Sequence, residues 1–129
     1  MHVDPSALIE FLAGRDTIAD KVRESGVGQP WAAPHAIDLE CASTLRGLVR
    51  RSKLSADEAA RALTLLRRMR LRRFEHDLLL PRVWELRHTM WPYDAAYVAL
   101  AELLDAELLT VDTKFERVPG LRCVVRCLR

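Results

Sequence analysis

Two acidic residues in the second half of the chain have the types and positions that metal chemistry requires. Asp94 stands at the start of an almost wholly apolar segment, residues 95–104, and Asp112 directly follows the short apolar run 108–111. The first segment is typical of a buried helix and the second of a buried strand. Acids just past the C-terminal ends of buried parallel strands lie where open α/β sheets bind ligands. We therefore expect Asp94 and Asp112 to face one crevice.

Two further acids have comparable settings nearer the N-terminus. Asp4 follows a very short apolar strand and precedes a helix with Pro5 in its first turn. Glu40 lies among apolar residues of a predicted helix, where a carboxylate is costly to bury unless it binds a cation or is paired. Four carboxylates at one sheet edge repel each other strongly unless divalent cations lie between them. Their oxygen donors favour Mg²⁺ or Mn²⁺ over zinc.

Each acid also has a simpler interpretation when taken singly. Asp94 fits a helix cap, Asp112 fits a turn, and Glu40 fits a salt bridge to one of the many arginines. Three hydroxyl residues stand beside the acids in sequence and are expected to hydrogen-bond to the carboxylates and hold their rotamers. Capping of helices or of other backbone groups explains these hydroxyls equally well. They are Ser6, Ser43 and Thr110.

Caps and apolar runs predict the elements that position these residues. Asp16 opens a helix that ends near Gly26, and Ser55 with Glu58 forms a capping box that opens another. Strands alternating with helices predict one α/β domain over residues 1–129, with a central parallel sheet and helices on both faces. The predicted helices are 5–13, 16–26, 37–51, 56–69, 78–87 and 94–104, and the predicted strands are 1–3, 31–33, 71–74, 108–111 and 122–126.

Composition excludes several classes of protein. No apolar run reaches the roughly 18 residues that a membrane span needs, and no signal peptide is recognisable, so we expect a cytoplasmic protein. Three cysteines without a Cys-x-x-Cys pair indicate buried thiols and neither a disulfide framework nor a zinc site.

Charge is unevenly distributed along the chain. The net charge is +2, yet residues 46–73 contain ten Lys/Arg and two Asp/Glu, a net +8 that leaves −6 for the remainder. This asymmetry predicts a basic face for a polyanion beside an acidic pocket. Four arginines are predicted to contact the phosphates of such a polyanion, although a solvated surface or an acidic partner explains them as well. They are Arg46, Arg50, Arg67 and Arg68.

Four segments of the sequence resemble the acidic motifs of PIN-domain nucleases. Their order and spacing are similar in particular to those of the VapC toxins of bacterial toxin–antitoxin pairs. The Tyr-Asp-Ala of residues 93–95 together with the Leu-Thr-x-Asp of residues 109–112 is the most specific part of the resemblance. Pro5 departs from the small residue usual in the family, and only three residues precede Asp4. The segments are VDPSAL (3–8), LECASTLR (39–46), YDAAYVALAE (93–102) and LTVD (109–112).

The resemblance implies a Mg²⁺- or Mn²⁺-dependent endoribonuclease whose cleavage of RNA blocks translation. Asp4 and Asp94 would be the main metal ligands and catalytic acids, with Glu40 and Asp112 completing the site directly or through water. It also implies a homodimer and a cognate VapB-like antitoxin that inserts a peptide into the active-site groove.

Two other classes of function stay open at this point. Aspartate-based phosphotransfer also places an Asp after a central strand, but Ser6 stands where phosphatases of that type carry a second acid. A non-catalytic PIN-like RNA-binding or adaptor module normally lacks some of the acids, and all four are present in this chain.

Overall fold

The computed structural model describes all 129 residues and is built on a five-stranded, wholly parallel sheet. The strand order is β3-β2-β1-β4-β5, so the short β1 lies at the centre. This arrangement confirms the predicted α/β class with a central parallel sheet. The strands are β1 (His2–Val3), β2 (Trp31–Pro34), β3 (Leu71–Phe74), β4 (Leu108–Thr110) and β5 (Val125–Cys127).

Six α-helices and two short 3₁₀ helices connect the strands. No helix is both long and apolar enough to cross a membrane. The α-helices are α1 (Pro5–Ala13), α2 (Thr17–Gly26), α3 (Ile37–Arg50), α4 (Ala56–Arg68), α5 (Leu80–Glu85) and α6 (Pro92–Leu104), and the 3₁₀ helices are Asp77–Leu79 and Thr113–Arg117.

Local capping chemistry explains where α1, α2 and α4 begin. The Asp16 carboxylate accepts a hydrogen bond from the amide of Ala19 at the start of α2. Ser55 and Glu58 exchange side-chain to backbone hydrogen bonds at the start of α4, which is the predicted capping box. Caps of this kind stabilise a helix by about 1 kcal/mol each.

Three predicted elements differ from the structure. The helix expected over residues 78–87 is a 3₁₀ turn followed by the six-residue α5, because Pro81 lacks an amide proton and fits only a first helical turn. Helix α6 begins at Pro92, so Asp94 lies in its first turn and does not cap it. The final strand is Val125–Cys127, three residues later than the start expected at residue 122.

The three cysteines are free thiols, but the prediction that all three are buried is wrong for Cys123 and Cys127. Cys41 is fully buried in the core, whereas Cys123 and Cys127 are half-buried. Burial raises the pKa of the Cys41 thiol to about 12, which keeps it protonated and unreactive.

The helices pack on the sheet mainly through α1 and α6. Helix α1 packs against β4 and against α2, α3 and α4, while α6 packs against β2, β4 and α5. The buried His2 connects β1 with β2 and with α6. Its ring nitrogens lie 3.0 Å from the Ala32 carbonyl oxygen and 2.6 Å from the Tyr97 carbonyl oxygen. The chain runs from β1 outward to β3 and then returns to β4 on the other side. Strands β1 and β4 therefore flank the topological switch point, where such sheets bind ligands.

Candidate active site

Asp4 and Asp112 lie at the C-terminal ends of the two strands that flank the switch point. Strands β1 and β4 are parallel neighbours with Val3 paired to Leu109, so the residues that follow them emerge at the same edge of the sheet. The Asp4 amide continues this pairing and donates to the Leu109 carbonyl, with 3.2 Å between nitrogen and oxygen. The switch point therefore presents two of the four predicted acids together.

Asp4 is held by three hydrogen-bond donors and is only 3% exposed. Its Oδ1 accepts from Ser6 Oγ at 2.7 Å and from the Ala7 amide at 3.0 Å, and its Oδ2 accepts from Thr110 Oγ1 at 2.7 Å. Burial raises the pKa of the Asp4 carboxyl, and these hydrogen bonds oppose that shift without cancelling it. All of these donors are neutral, so they fix the carboxylate without compensating its charge.

The two hydroxyls on Asp4 also link it to the end of β4. Ser6 Oγ lies 3.1 Å from Thr110 Oγ1 and accepts a hydrogen bond of 3.1 Å from the Val111 amide. Thr110 Oγ1 accepts a hydrogen bond of 2.9 Å from the amide of Asp112. The network fixes the backbone on which Asp112 is mounted.

Glu40 lies in the first turn of α3 and is bound by a tyrosine from α6. The Tyr97 hydroxyl donates to Glu40 Oε1 at 2.9 Å, and the Tyr97 side chain is fully buried. Burial raises the pKa of Glu40, as do the charges of Asp94 and Asp4, while the Tyr97 hydrogen bond lowers it. The arginine salt bridge considered for Glu40 is absent. Glu40 therefore lies close enough to Asp4 and Asp94 for their negative charges to raise its pKa.

Asp94 and Asp112 share a single lysine. The Lys114 ammonium lies 3.0 Å from Asp94 Oδ1 and 3.2 Å from Asp112 Oδ2. Asp112 also caps the 3₁₀ helix that follows, because its Oδ1 accepts a 3.0 Å hydrogen bond from the Lys114 amide. Partial burial lowers the pKa of Lys114, but its contacts with the two carboxylates outweigh that effect and the net shift is upward.

The donor chemistry of the edge fits a hard divalent cation. All of the converging side-chain acceptors are carboxylate or hydroxyl oxygens, which Mg²⁺ and Mn²⁺ prefer. The Lys114 ammonium occupies the position between two of the carboxylates that a metal cation would take. No three His, Cys, Asp or Glu side chains are close enough together in this structure to hold a metal ion. The ligand roles of Asp4, Glu40, Asp94 and Asp112 therefore stay predictions.

The remaining predicted residues lie apart from this network. Ser43 is exposed on α3 and makes no side-chain hydrogen bond, so the contact with a carboxylate that the sequence led us to expect is absent. Four exposed arginines on α3 and α4 form no ion pair and are free to bind an external anion. They are Arg46, Arg50, Arg67 and Arg68.

Sequence reasoning missed two residues of the site, Tyr97 and Lys114. Tyr97 stands three positions after Asp94, a spacing that places both on one face of a helix. Lys114 stands two positions after Asp112. Both spacings were visible in the sequence, but only the tertiary contacts distinguish these residues from an ordinary core tyrosine and a surface lysine.

Comparison with known proteins identifies the family to which this fold belongs. A family model of the PIN domain matches residues 1–121. The chain belongs to the PIN domain family. This PIN-domain chain is 37% identical over 128 residues to Ribonuclease VapC1 of Mycobacterium tuberculosis. The match covers 98% of this chain and 96% of that protein. It is 40% identical over 92 residues to VapC ribonuclease Mb0985 of Mycobacterium bovis, with 71% and 72% covered.

Solved structures show the same PIN fold. The Mycobacterium tuberculosis toxin VapC20, which cleaves the sarcin-ricin loop, superposes with a TM-score of 0.64 at 18% identity over 89% of this chain and 92% of that one. A chain of VapBC2 from Rickettsia felis, bound to a DNA fragment from its promoter, gives 0.63 at 14% identity over 98% and 96%. At such low identity these likenesses concern the fold alone. The resemblance to VapC PIN domains seen in the four sequence motifs is confirmed.

Proposed function

We propose that this PIN domain is a Mg²⁺- or Mn²⁺-dependent endoribonuclease and the toxin of a type II toxin–antitoxin pair. In this proposal it hydrolyses RNA phosphodiester bonds and thereby blocks translation. One observation carries it: the buried Asp4, fixed only by neutral donors, stands at the switch point beside two acids that share a single cation. The ribonuclease names of the VapC relatives support the choice of RNA as substrate.

The four acids are the proposed ligands of the metal, with Asp4 and Asp94 as the main ones. A bound Mg²⁺ or Mn²⁺ would supply a Lewis acid that polarises the scissile phosphate and lowers the pKa of an attacking water. Ser6 and Thr110 keep the Asp4 carboxylate in one rotamer through their hydrogen bonds. Positioning of this kind is worth about 10–100-fold in metal affinity or activity.

Glu40 is the proposed acceptor of the water proton. Its Oε1 accepts the hydrogen bond from the Tyr97 hydroxyl, which leaves Oε2 to accept the proton. In this proposal the water proton would pass to Glu40 Oε2 as the water oxygen bonds to phosphorus. The bond from phosphorus to the leaving oxygen would break, and that oxygen would take up a proton from solvent.

Exposed surfaces of the domain support the proposed partners. The arginines of α3 and α4 offer a basic surface for RNA phosphates or for an acidic antitoxin segment. Three large side chains around the start of α6 are more than half exposed, an apolar area that suits a homodimer. They are Trp84, Trp91 and Tyr93. The solved VapBC2 pair supports a VapB-like antitoxin as a partner of this chain.

RNA cleavage with and without metal tests the proposed activity. The purified chain is expected to cut a single-stranded RNA in Mg²⁺ or Mn²⁺ and to stop in EDTA. Asp94→Asn should lower the rate by at least about 100-fold, because it removes a charged ligand. Asp105→Asn is the matched control at the other end of α6, where the left-handed backbone tolerates Asn, and it should cut like the wild type.

Two results would contradict this function. Cleavage that persists in EDTA but disappears with Asp94→Asn would show that the acids are needed for cleavage and that a metal ion is not. A folded wild type that binds RNA without cutting it under any metal condition would favour the adaptor alternative.

Association tests the partners. Expression of the chain with its neighbouring gene is expected to yield a complex that co-purifies, and light scattering of the toxin alone should give twice the chain mass. Elution of the toxin by itself as a monomer would remove both partners from the proposal.

A further inference from the structure

Lys114 holds the place of a cation between two proposed metal ligands. Its ammonium lies 3.0 Å from Asp94 Oδ1 and 3.2 Å from Asp112 Oδ2. No other ion pair in the structure involves any of the four acids. A divalent cation that binds Asp94 and Asp112 has to approach the same carboxylate oxygens, so ammonium and metal compete for them.

The lysine side chain can leave this position while its backbone stays fixed. The Lys114 amide is bonded to Asp112 Oδ1, and the next residue, Phe115, is buried at 1% exposure. The Lys114 side chain, in contrast, is 49% exposed on a flexible four-carbon stem. Rotation about its side-chain bonds therefore exposes Asp94 and Asp112 without unfolding the 3₁₀ helix.

The other two acids have no such competitor. Asp4 and Glu40 are bound by hydroxyls of Ser6, Thr110 and Tyr97, which are neutral. Neutral donors can remain on a carboxylate that also binds a metal, as hydrogen-bonded ligands commonly do. Lys114 is thus the single group whose charge has to be displaced.

We propose that Lys114 is an internal counter-cation of the active site, which compensates Asp94 and Asp112 in the metal-free protein and is displaced when a divalent cation binds them. This inference rests on the proposed metal-dependent function. Its consequence is that Lys114 stabilises the metal-free fold and weakens metal binding at the same time. A lysine with a purely structural role would support both the fold and the metal site.

Calorimetric titration of metal-free protein with MnCl₂ measures the competition directly. Lys114→Met is expected to bind Mn²⁺ about fivefold more tightly than the wild type, the effect of losing a partly exposed ion pair worth roughly 1 kcal/mol. Lys114→Arg keeps the charge and should bind no more tightly than the wild type. Lys21→Met removes the same charge from an exposed position on α2 without an ion pair, and should stay within about twofold of the wild type.

Thermal melts supply the second readout. In EDTA, Lys114→Met should melt roughly 3–5 °C below the wild type and below Lys21→Met, because Asp94 and Asp112 are left facing each other. Saturating Mn²⁺ should reduce the difference in melting temperature between Lys114→Met and the wild type. If Lys114→Met does not fold, Lys114→Gln replaces it with the same expected direction in both measurements.

The outcomes separate this inference from the proposed function. Mn²⁺ binding by the folded neutral variants that equals or falls below that of the wild type overturns the role of Lys114 and leaves the metal site intact. Binding that is undetectable in the wild type but measurable in Lys114→Met supports the competition. Absence of Mn²⁺ binding in every variant overturns the metal-dependent function together with this inference.

Discussion

Asp4 and Glu40 are held by the hydroxyls of neighbouring side chains, whereas Asp94 and Asp112 share the ammonium of Lys114. We call these the inner pair and the outer pair. Hydroxyls orient a carboxylate but leave its charge uncompensated, and burial then raises the pKa of both inner acids. An ammonium compensates charge but holds geometry loosely, because a half-exposed lysine is mobile.

The contrast shows that one site can contain two carboxylates with fixed hydrogen bonds and two carboxylates whose counter-ion can be exchanged. Asp4 is fixed by a hydrogen-bond network that joins β1 to β4, and Glu40 is fixed by the hydroxyl of the buried Tyr97. The outer pair is completed by a side chain that can swing into solvent. Substitutions in the inner pair should therefore affect both fold and activity, and those in the outer pair should affect activity with little loss of stability.

The largest expected difference between the pairs comes from identical substitutions of Asp4 and Asp94. Asp4→Ala removes the cap of α1 and the acceptor for the hydroxyls of Ser6 and the buried Thr110, so the free energy of unfolding in EDTA should fall by about 1–3 kcal/mol. Asp94→Ala loses only a contact with a half-exposed lysine and should stay within about 1 kcal/mol of the wild type. Both variants should lose RNA cleavage. Urea unfolding and a cleavage assay test this, and equal stability losses would erase the distinction between the pairs.

A smaller effect is expected from the hydroxyl that links the inner pair to the outer one. Thr110→Val keeps the shape of a fully buried side chain but removes the hydrogen bond to Asp4 and the acceptor for the Asp112 amide. The free energy of unfolding should fall by about 1–2 kcal/mol. Ser43→Ala, on the exposed side of α3, is the control and should change it by less than about 0.5 kcal/mol. A Thr110→Val protein as stable as the control would mean that the network does not hold Asp4.

The smallest expected effect is a pH dependence confined to the inner pair. Glu40 has a raised folded-state pKa, so the folded protein binds more protons than the unfolded chain at a pH between the ordinary glutamate value and the raised one. Stability in EDTA should therefore fall as the pH rises through this window, from about pH 4 upward. Glu40→Gln keeps an oxygen for the Tyr97 hydroxyl and should flatten the dependence by less than about 1 kcal/mol. Denaturation curves at several pH values test it, with an unchanged slope as the contrary result.

Short-range features of this protein were decided by the sequence itself. Helix starts at Asp16 and Ser55 follow from side chains that bond to amides three residues away, so the local sequence contains all of the information. The alternation of apolar strands and amphipathic helices determined the parallel α/β class. The position of an acid after each strand near the switch point follows from the same local pattern. These predictions succeed because each depends on neighbours along the chain.

Only the tertiary structure decided how the acids are held. Tyr97 reaches Glu40 across 57 positions and Thr110 reaches Asp4 across 106, and no local pattern selects such partners. The failure of Ser43 to contact a carboxylate also depends on how α3 is placed in the fold. Lys114 shows most clearly what the local sequence cannot predict. It bonds through its amide to Asp112 two residues away, but its ammonium becomes part of the site only because the fold brings α6, with Asp94, to the same edge of the sheet.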